Sequence, residues 1–251
     1  MNNLSPFQVR FFSDVTSTNE VARDIISGGG EEGTIVVAEY QSRGRGRRGR
    51  RWDSRRGLGL WATLILRPPL EGSQMFSLGA AVSVAIAKAV ESLFGIEPSI
   101  QWPNDVYLTG RKFGGILVET GREEGWGRYA LVGMGINLNH ERRDFPPHLR
   151  RMATSLREES GREMKVPVFL EGLITFLRKE LASVYEKGFD GIRADYVRRS
   201  SLLHRRVRIK LAAEEIEAVV VDFGRCGEVV VRADGTGDRT LNYGEVVRVW
   251  R

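Results

Sequence analysis

Trp102-Pro103-Asn104-Asp105-Val106-Tyr107-Leu108-Thr109-Gly110-Arg111-Lys112-Phe113-Gly114-Gly115-Ile116-Leu117-Val118-Glu119 is where this chain shows most about itself. Asp105 to Leu108 and Phe113 to Glu119 are apolar runs on either side of a Thr-Gly pair, which predicts a β-hairpin. Lys112 comes just past the turn, and the glycines after it allow a ligand to approach closely. Asn104 and Asp105 are oxygen donors suited to Mg2+, an ion usually shared with nucleotide phosphates. A lysine so placed can set its ammonium between a carboxylate and an α-phosphate. By itself the stretch is also readable as an ordinary turn with a surface lysine.

Downstream, Tyr129 to Ile136 reads as an interior strand that runs into Gly133-Met134-Gly135-Ile136-Asn137. Glycines there allow backbone contact with a flat ligand, and Asn137 is placed to join Asn104 at a metal; close strand packing explains each glycine singly just as well. Upstream, the β-branched run Thr34 to Tyr40 predicts a buried strand. It leads into Gln41-Ser42-Arg43-Gly44-Arg45-Gly46-Arg47-Arg48-Gly49-Arg50-Arg51-Trp52, which has no periodicity and is read as loop. Glycine lets the backbone wrap an anion, and arginine forks bind carboxylate and phosphate oxygens in pairs.

Residues 43–56 hold eight arginines against one acid, Asp53, so this segment carries +7 and the rest of the chain is near neutral, at −1. One basic loop on a near-neutral body suits a small anionic ligand better than a broad nucleic-acid face. A solvated basic loop and an RNA-binding arginine-glycine segment remain open as readings. When empty, the loop repels itself, and it is expected to be mobile until a ligand neutralises it.

Phe7 to Phe12 reads as a short strand, and Ser17-Thr18-Asn19-Glu20 as a capping box opening a helix that Gly28-Gly29-Gly30 ends. Leu58 to Leu66 is a further strand. Ser73 to Phe94 and Val166 to Glu186 carry apolar residues at helical spacing. After about residue 200 the chain becomes short alternating strands, Val207 to Leu211, Ile216 to Asp222, Glu228 to Ala233 and Val246 to Trp250, which suggests a small appended β-barrel. With 251 residues, 41% hydrophobic and 28% charged, the composition is globular. Cys226 is the only cysteine, and His140, His148 and His204 lack metal-ligand spacing, so neither a disulfide scaffold nor a zinc site is expected. No apolar run is read as approaching the roughly 18–20 residues of a membrane span, and no signal-peptide pattern opens the chain. A cytoplasmic protein with no membrane association is expected.

Together these segments, in this order, resemble the biotin protein ligase family: Ser-Thr-Asn at 17–19, the Arg-Gly loop from Tyr40 to Trp52, Trp-Pro-Asn-Asp with the Lys112 hairpin at 102–119, and Gly-Met-Gly-Ile-Asn at 133–137. Ala153-Thr154-Ser155-Leu156 is similar to that family too. The resemblance implies an α+β fold: a class II aminoacyl-tRNA synthetase/biotin ligase-like mixed sheet with helices over residues 1–200, then an SH3-like barrel over 201–251. Because the motifs begin within the first twenty residues, the DNA-binding repressor part that many members carry is expected to be absent.

By matching position, the resemblance implies that Ser17, Thr18, Asn19, Gln41, Gly44, Arg45, Lys112, Gly115, Gly133 and Ile136 line a biotin pocket. Arg47, Arg50, Trp52, Asn104, Lys112 and Asn137 serve ATP, with Asn104 and Asn137 at Mg2+, while Lys112, Arg45 and Asp105 carry the chemistry. The implied reaction forms biotinyl-AMP from biotin and ATP and passes biotin to a lysine of a biotin carboxyl carrier protein. The biotin carboxylate is itself the nucleophile, so no serine or cysteine triad is required. No nucleic-acid partner is implied, and a homodimer is compatible with the family. A lipoate-protein ligase-like enzyme and an RNA-binding protein stand as alternatives. Two positions depart from the family: Gln101 replaces the frequent lysine before Trp102, and Arg55 replaces the usual proline after Ser54.

Overall fold

The structure, a computed structural model, describes residues 4–250 other than 234 and 236. A seven-stranded mixed sheet forms its centre, with β1 (Gln8–Val15), β2 (Thr34–Gln41), β3 (Gly59–Leu66), β4 (Ser99–Gln101), β5 (Asp105–Leu108), β6 (Arg111–Glu123) and β7 (Gly127–Asn137). Their order is β1-β2-β3-β7-β6-β5-β4, and only β1 and β2 pair in parallel. This bears out the mixed α+β sheet. The predicted hairpin is β5–β6, and its turn residues Thr109 and Gly110 both have positive φ, 49° and 76°, as a tight two-residue turn requires.

Strand alternation divides the molecule into layers. Val36, Ile65 and Leu131 face α1 (Thr18–Ser27), packing on its Ala22 and Ile26. The opposite face meets α2 (Phe76–Phe94) and α4 (Val166–Lys187). Small residues such as Gly79, Ala80, Ala81, Ala85 and Ala89 line α2, allowing its neighbours to pack closely against it. Contrary to the sequence reading, residues 72–94 are long and apolar enough for a membrane span, 23 residues with a mean hydropathy of 1.5. Their most apolar window is 72% buried within the protein, so here that character serves the core.

A second sheet has five antiparallel strands, β8 (Arg206–Lys210), β9 (Glu215–Phe223), β10 (Val229–Arg232), β11 (Asp238–Leu241) and β12 (Glu245–Val249), ordered β11-β10-β9-β8-β12. β4, β11 and two short helices, α3 (Leu156–Ser160) and α5 (Arg193–Arg199), escaped the sequence reading, being too short to display a period.

Candidate active site

The start of α1 supplies a polar wall. Ser17 is the N-cap, accepting from the Asn19 N–H at 3.3 Å. The predicted capping box does not form, since Ser17 caps Asn19 rather than Glu20, and Glu20 turns to the Thr16 hydroxyl and to Arg45, which lower its carboxyl pKa, Thr16 contributing more. Gln41 Oε1 accepts from the Thr18 N–H at 2.8 Å, and Gln41 Nε2 donates to Ser54 Oγ at 2.8 Å. Both ends of this buried amide are thus satisfied, which fixes its orientation.

The arginine-glycine loop is folded across this wall. Gln41 bridges to Ser54 and Arg45 to Arg51, around a 3-10 turn at Arg47–Gly49. Arg48 takes a left-handed backbone at φ 57°, which disfavours a side-chain-bearing residue by roughly 1–2 kcal/mol. Its guanidinium makes compensating contacts, to Glu245 Oε2 at 3.0 Å and to the Lys210 carbonyl at 3.3 Å, and Arg50 pairs with the same Glu245. Burial pushes the Glu245 carboxyl up, but the two arginines outweigh it and hold it below its ordinary range. The expected self-repulsion is therefore relieved by carboxylates, Glu20 and Glu245, that lie outside the loop. Arg47 is half-buried and donates to Asn104 Oδ1 at 3.1 Å. Burial lowers its pKa, Asp105 opposes this, and an arginine stays charged under such a shift.

Lys112 owes its direction to a β-bulge. Tyr107 pairs with Lys112 and Val106 with Gly114, which leaves Phe113 as the extra residue. Regular alternation would send Lys112 and Gly115 to opposite faces; the bulge brings them to one. A Cβ on Gly115 would lie 3.2 Å from Lys112 Nζ and from the Trp52 ring. The ammonium lies 2.7 Å from Asp105 Oδ1, an ion pair, and 5.3 Å from the centre of the Trp52 ring. The Ala153 segment clamps the Lys112 backbone: Lys112 N–H donates to the Met152 carbonyl at 2.8 Å and Thr154 N–H to the Lys112 carbonyl at 2.9 Å. Trp52 lies over Gly115 and Gly135, paired neighbours on β6 and β7, and a Cβ on Gly135 would meet the indole at 2.5 Å. Close approach of an aromatic ring is thus what these two glycines permit.

These pieces enclose a cavity of about 520 Å3. Ser17, Thr18, Asn19, Gln41, Arg45, Arg47, Arg50, Trp52, Asn104, Asp105, Lys112, Gly115, Gly133 and Asn137 all border it. Two expected residues do not. Gly44 is buried within the loop itself, where a Cβ would be 2.6 Å from Ser54 Oγ and the Trp52 carbonyl. Ile136 is fully buried in the core, because alternation sends its side chain away from the face shared by Gly133, Gly135 and Asn137. Of the two asparagines expected at Mg2+, Asn104 Oδ1 receives the Arg47 guanidinium at 3.1 Å, and Asn137 Nδ2 donates to the Thr154 carbonyl at 3.0 Å. Among the described residues no group of three or more His, Cys, Asp or Glu side chains could hold a metal. Asn137 and Asp105, which border the cavity, are oxygen-bearing side chains that a Mg2+ shared with nucleotide phosphates would meet.

Sequence reasoning missed part of the cavity. Gly244, Glu245, Val246 and Val247 reach it from the second sheet, and Phe145, Leu149 and Met152 from the loop after β7. His140 also borders it, buried, stacked on Phe145 at 4.8 Å, with its pKa pushed down to about 4 by burial, so the ring is neutral. None of these carries a local signal, since each reaches the cavity only through tertiary packing.

The comparisons agree with this geometry. The model of the biotin/lipoate A/B protein ligase family matches residues 11–137, which include the polar wall, the loop, Lys112 and the glycines of β7. The bifunctional ligase/repressor BirA of Bacillus spizizenii is 38% identical over 181 residues, covering 71% of this chain and 55% of that protein. This chain thus spans just over half the length of that relative. The biotin–acetyl-CoA-carboxylase ligase of Mycobacterium tuberculosis is 25% identical over 94% of this chain and 88% of that one. Among solved structures, the biotin protein ligase from Aquifex aeolicus in complex with biotin and ATP superposes with a TM-score of 0.83, at 27% identity, over 98% of this chain and 97% of that one. A matched segment holding most of the cavity's charged and glycine positions, on a fold shared end to end, makes this chain a member of the biotin/lipoate A/B protein ligase family.

Proposed function

We propose that this protein is an ATP-dependent biotin protein ligase. The observation that carries the reading is the meeting of Lys112, the arginine loop and the polar wall of Ser17, Thr18 and Gln41 around one cavity. In the first step the biotin carboxylate attacks the α-phosphate of ATP, forming a mixed anhydride and releasing pyrophosphate. Both reactants are anionic, so the barrier falls when cations hold them in line. Lys112 screens the carboxylate and α-phosphate, and Arg47 donates to the phosphates together with Arg48 and Arg50 as Glu245 releases those two. In the second step the neutral amine of a lysine on a biotin carboxyl carrier protein attacks the anhydride carbonyl, expelling AMP. Asp105, beside Lys112, is the carboxylate placed to take the proton that the amine loses.

On this reading residues 1–200 form the synthetase-like catalytic domain and residues 201–251 an SH3-like barrel whose β12 closes the cavity, and the protein works in the cytoplasm. The intramolecular carboxylates on the loop weigh against an RNA-binding role, since they neutralise the charge that RNA would need. Incubation with labelled biotin, ATP and a carboxylase carrier subunit tests the proposal. Label is expected on one carrier lysine, and its absence with an active carrier would refute the transfer step.

A further inference from the structure

Thr63 is fully buried on β3, and sequence reading gave it no role. Its Oγ1 lies 2.6 Å from Asn19 Oδ1 and 2.7 Å from Thr18 Oγ1. The proton arrangement follows from counting donors. Asn19 Nδ2 donates to Glu119 Oε2 at 2.6 Å, and Arg23 holds the same carboxylate at 3.2 Å, so the Asn19 amide cannot turn over. Asn19 Oδ1 can then only accept, and the one Thr63 proton goes to it. A 2.7 Å contact between Thr63 and Thr18 still needs a proton, which has to come from Thr18. That direction is also the shorter of the two open to Thr18, because Gln41 Oε1 is 3.1 Å away and already accepts from the Thr18 N–H.

The Thr18 hydroxyl therefore turns its proton inward to β3, and its lone pairs are left for the cavity that Thr18 borders. Gly133, opposite Thr63 in the β3–β7 register, leaves the room this needs: a Cβ there would stand 2.7 Å from Asn19 Oδ1.

We infer that Thr63 is a positioning residue that makes Thr18 an obligate acceptor, and so selects acids whose ring bears an N–H donor. This rests on the biotin reading above and refines it: a cyclic urea offers such N–H groups, whereas the dithiolane ring of a lipoyl-type acid offers none. Thr63 touches no ligand and acts through Thr18. A hydroxyl that could turn either way would suit a donor or an acceptor; one with its proton committed rejects the ligand that lacks a donor.

The test compares the unaltered chain with Thr63→Val, nearly isosteric but without the hydroxyl, and with Thr63→Ser, which restores it. Binding of biotin, and of biotins methylated at one or the other ureido nitrogen, is measured by calorimetry, alongside the melting temperature and the KM for ATP. For the valine variant, biotin affinity is expected to fall roughly tenfold. KM for ATP is expected to hold while melting falls by several degrees, because Asn19 Oδ1 loses its donor, and the serine variant is expected to bind and melt as the unaltered chain does. At least one methylated analogue should bind the unaltered chain far more weakly than biotin, with that penalty shrinking in the valine variant. Biotin bound equally by the valine and unaltered chains, an unchanged methylation penalty, or equal losses in biotin and ATP binding would overturn the role of Thr63 and leave the ligase reading standing. Failure of the unaltered chain to bind biotin at all would overturn that reading itself.

Discussion

Lys112 Nζ stands 5.3 Å from the centre of the Trp52 ring, although 60 residues separate the two in the chain. This contact joins the arginine-glycine loop to the hairpin, and it brings to one cavity two motifs that the sequence presents separately. The Asp105 carboxylate, 2.7 Å from the same ammonium, pairs with the lysine and fixes its direction.

Replacing Lys112 by alanine is expected to reduce biotin-dependent adenylate formation by at least about a hundredfold, as loss of a cation that stabilises developing charge does. The side chain is not in the core, so the melting temperature should move by only a few degrees. Pyrophosphate exchange and a thermal melt on the same preparation check both; exchange near that of the unaltered chain would remove Lys112 from the mechanism.

Gly135→Ala places a methyl where the Trp52 indole now lies, 2.5 Å from its nearest carbon. The ring has to shift, with a stability loss of about 1–3 kcal/mol and a raised KM for ATP. Chemical denaturation together with exchange kinetics reads both effects, and an unchanged KM would show that the seat of Trp52 is irrelevant to nucleotide.

His140 gives a pH dependence of known sign. Its pKa is pushed down to about 4 in the folded protein by burial, from about 6.5 when unfolded. Between those values the unfolded chain binds a proton that the folded one refuses, so stability is fully present above about pH 6.5 and is lost as pH falls towards 4. At pH 5 the loss from this group is about 2 kcal/mol. Urea unfolding at pH 7.5 and 5.0 should show it, and His140→Phe should flatten the difference; an equal slope in that variant would assign the effect to other groups.

Glu245→Gln removes the negative charge that holds Arg48 and Arg50. Partly exposed ion pairs contribute about 0–1 kcal/mol each, so global melting should barely change. Trypsin, which cuts after arginine, should nick the loop between Arg43 and Arg51 several times faster. Equal nicking rates would mean that the loop is held by its own bridges alone.

Much of this architecture could be read locally. The helix start at Ser17, the strand entering the loop at Gln41 and the hairpin turn at Thr109-Gly110 are short-range features whose causes lie within a few residues. Their family resemblance then marked most of the cavity. What stayed hidden depends on tertiary register. The bulge at Phe113 puts Lys112 and Gly115 on one face, which no simple period-two reading allows. Motif position points Ile136 to the pocket, but strand alternation buries it. Thr63 and Glu245 stand in an apolar strand and near the chain end, and only the folded chain brings them to Thr18 and to the loop. The long apolar helix gave the opposite difficulty, since hydropathy alone cannot distinguish a core from a bilayer.

The most direct test is exchange of labelled pyrophosphate into ATP by the purified chain, with no carrier protein present. If Lys112 and the arginine loop join biotin to AMP, label enters ATP only when biotin is added. No exchange by the folded protein with biotin and ATP at saturating concentrations, or exchange at the same rate without biotin, would contradict the account.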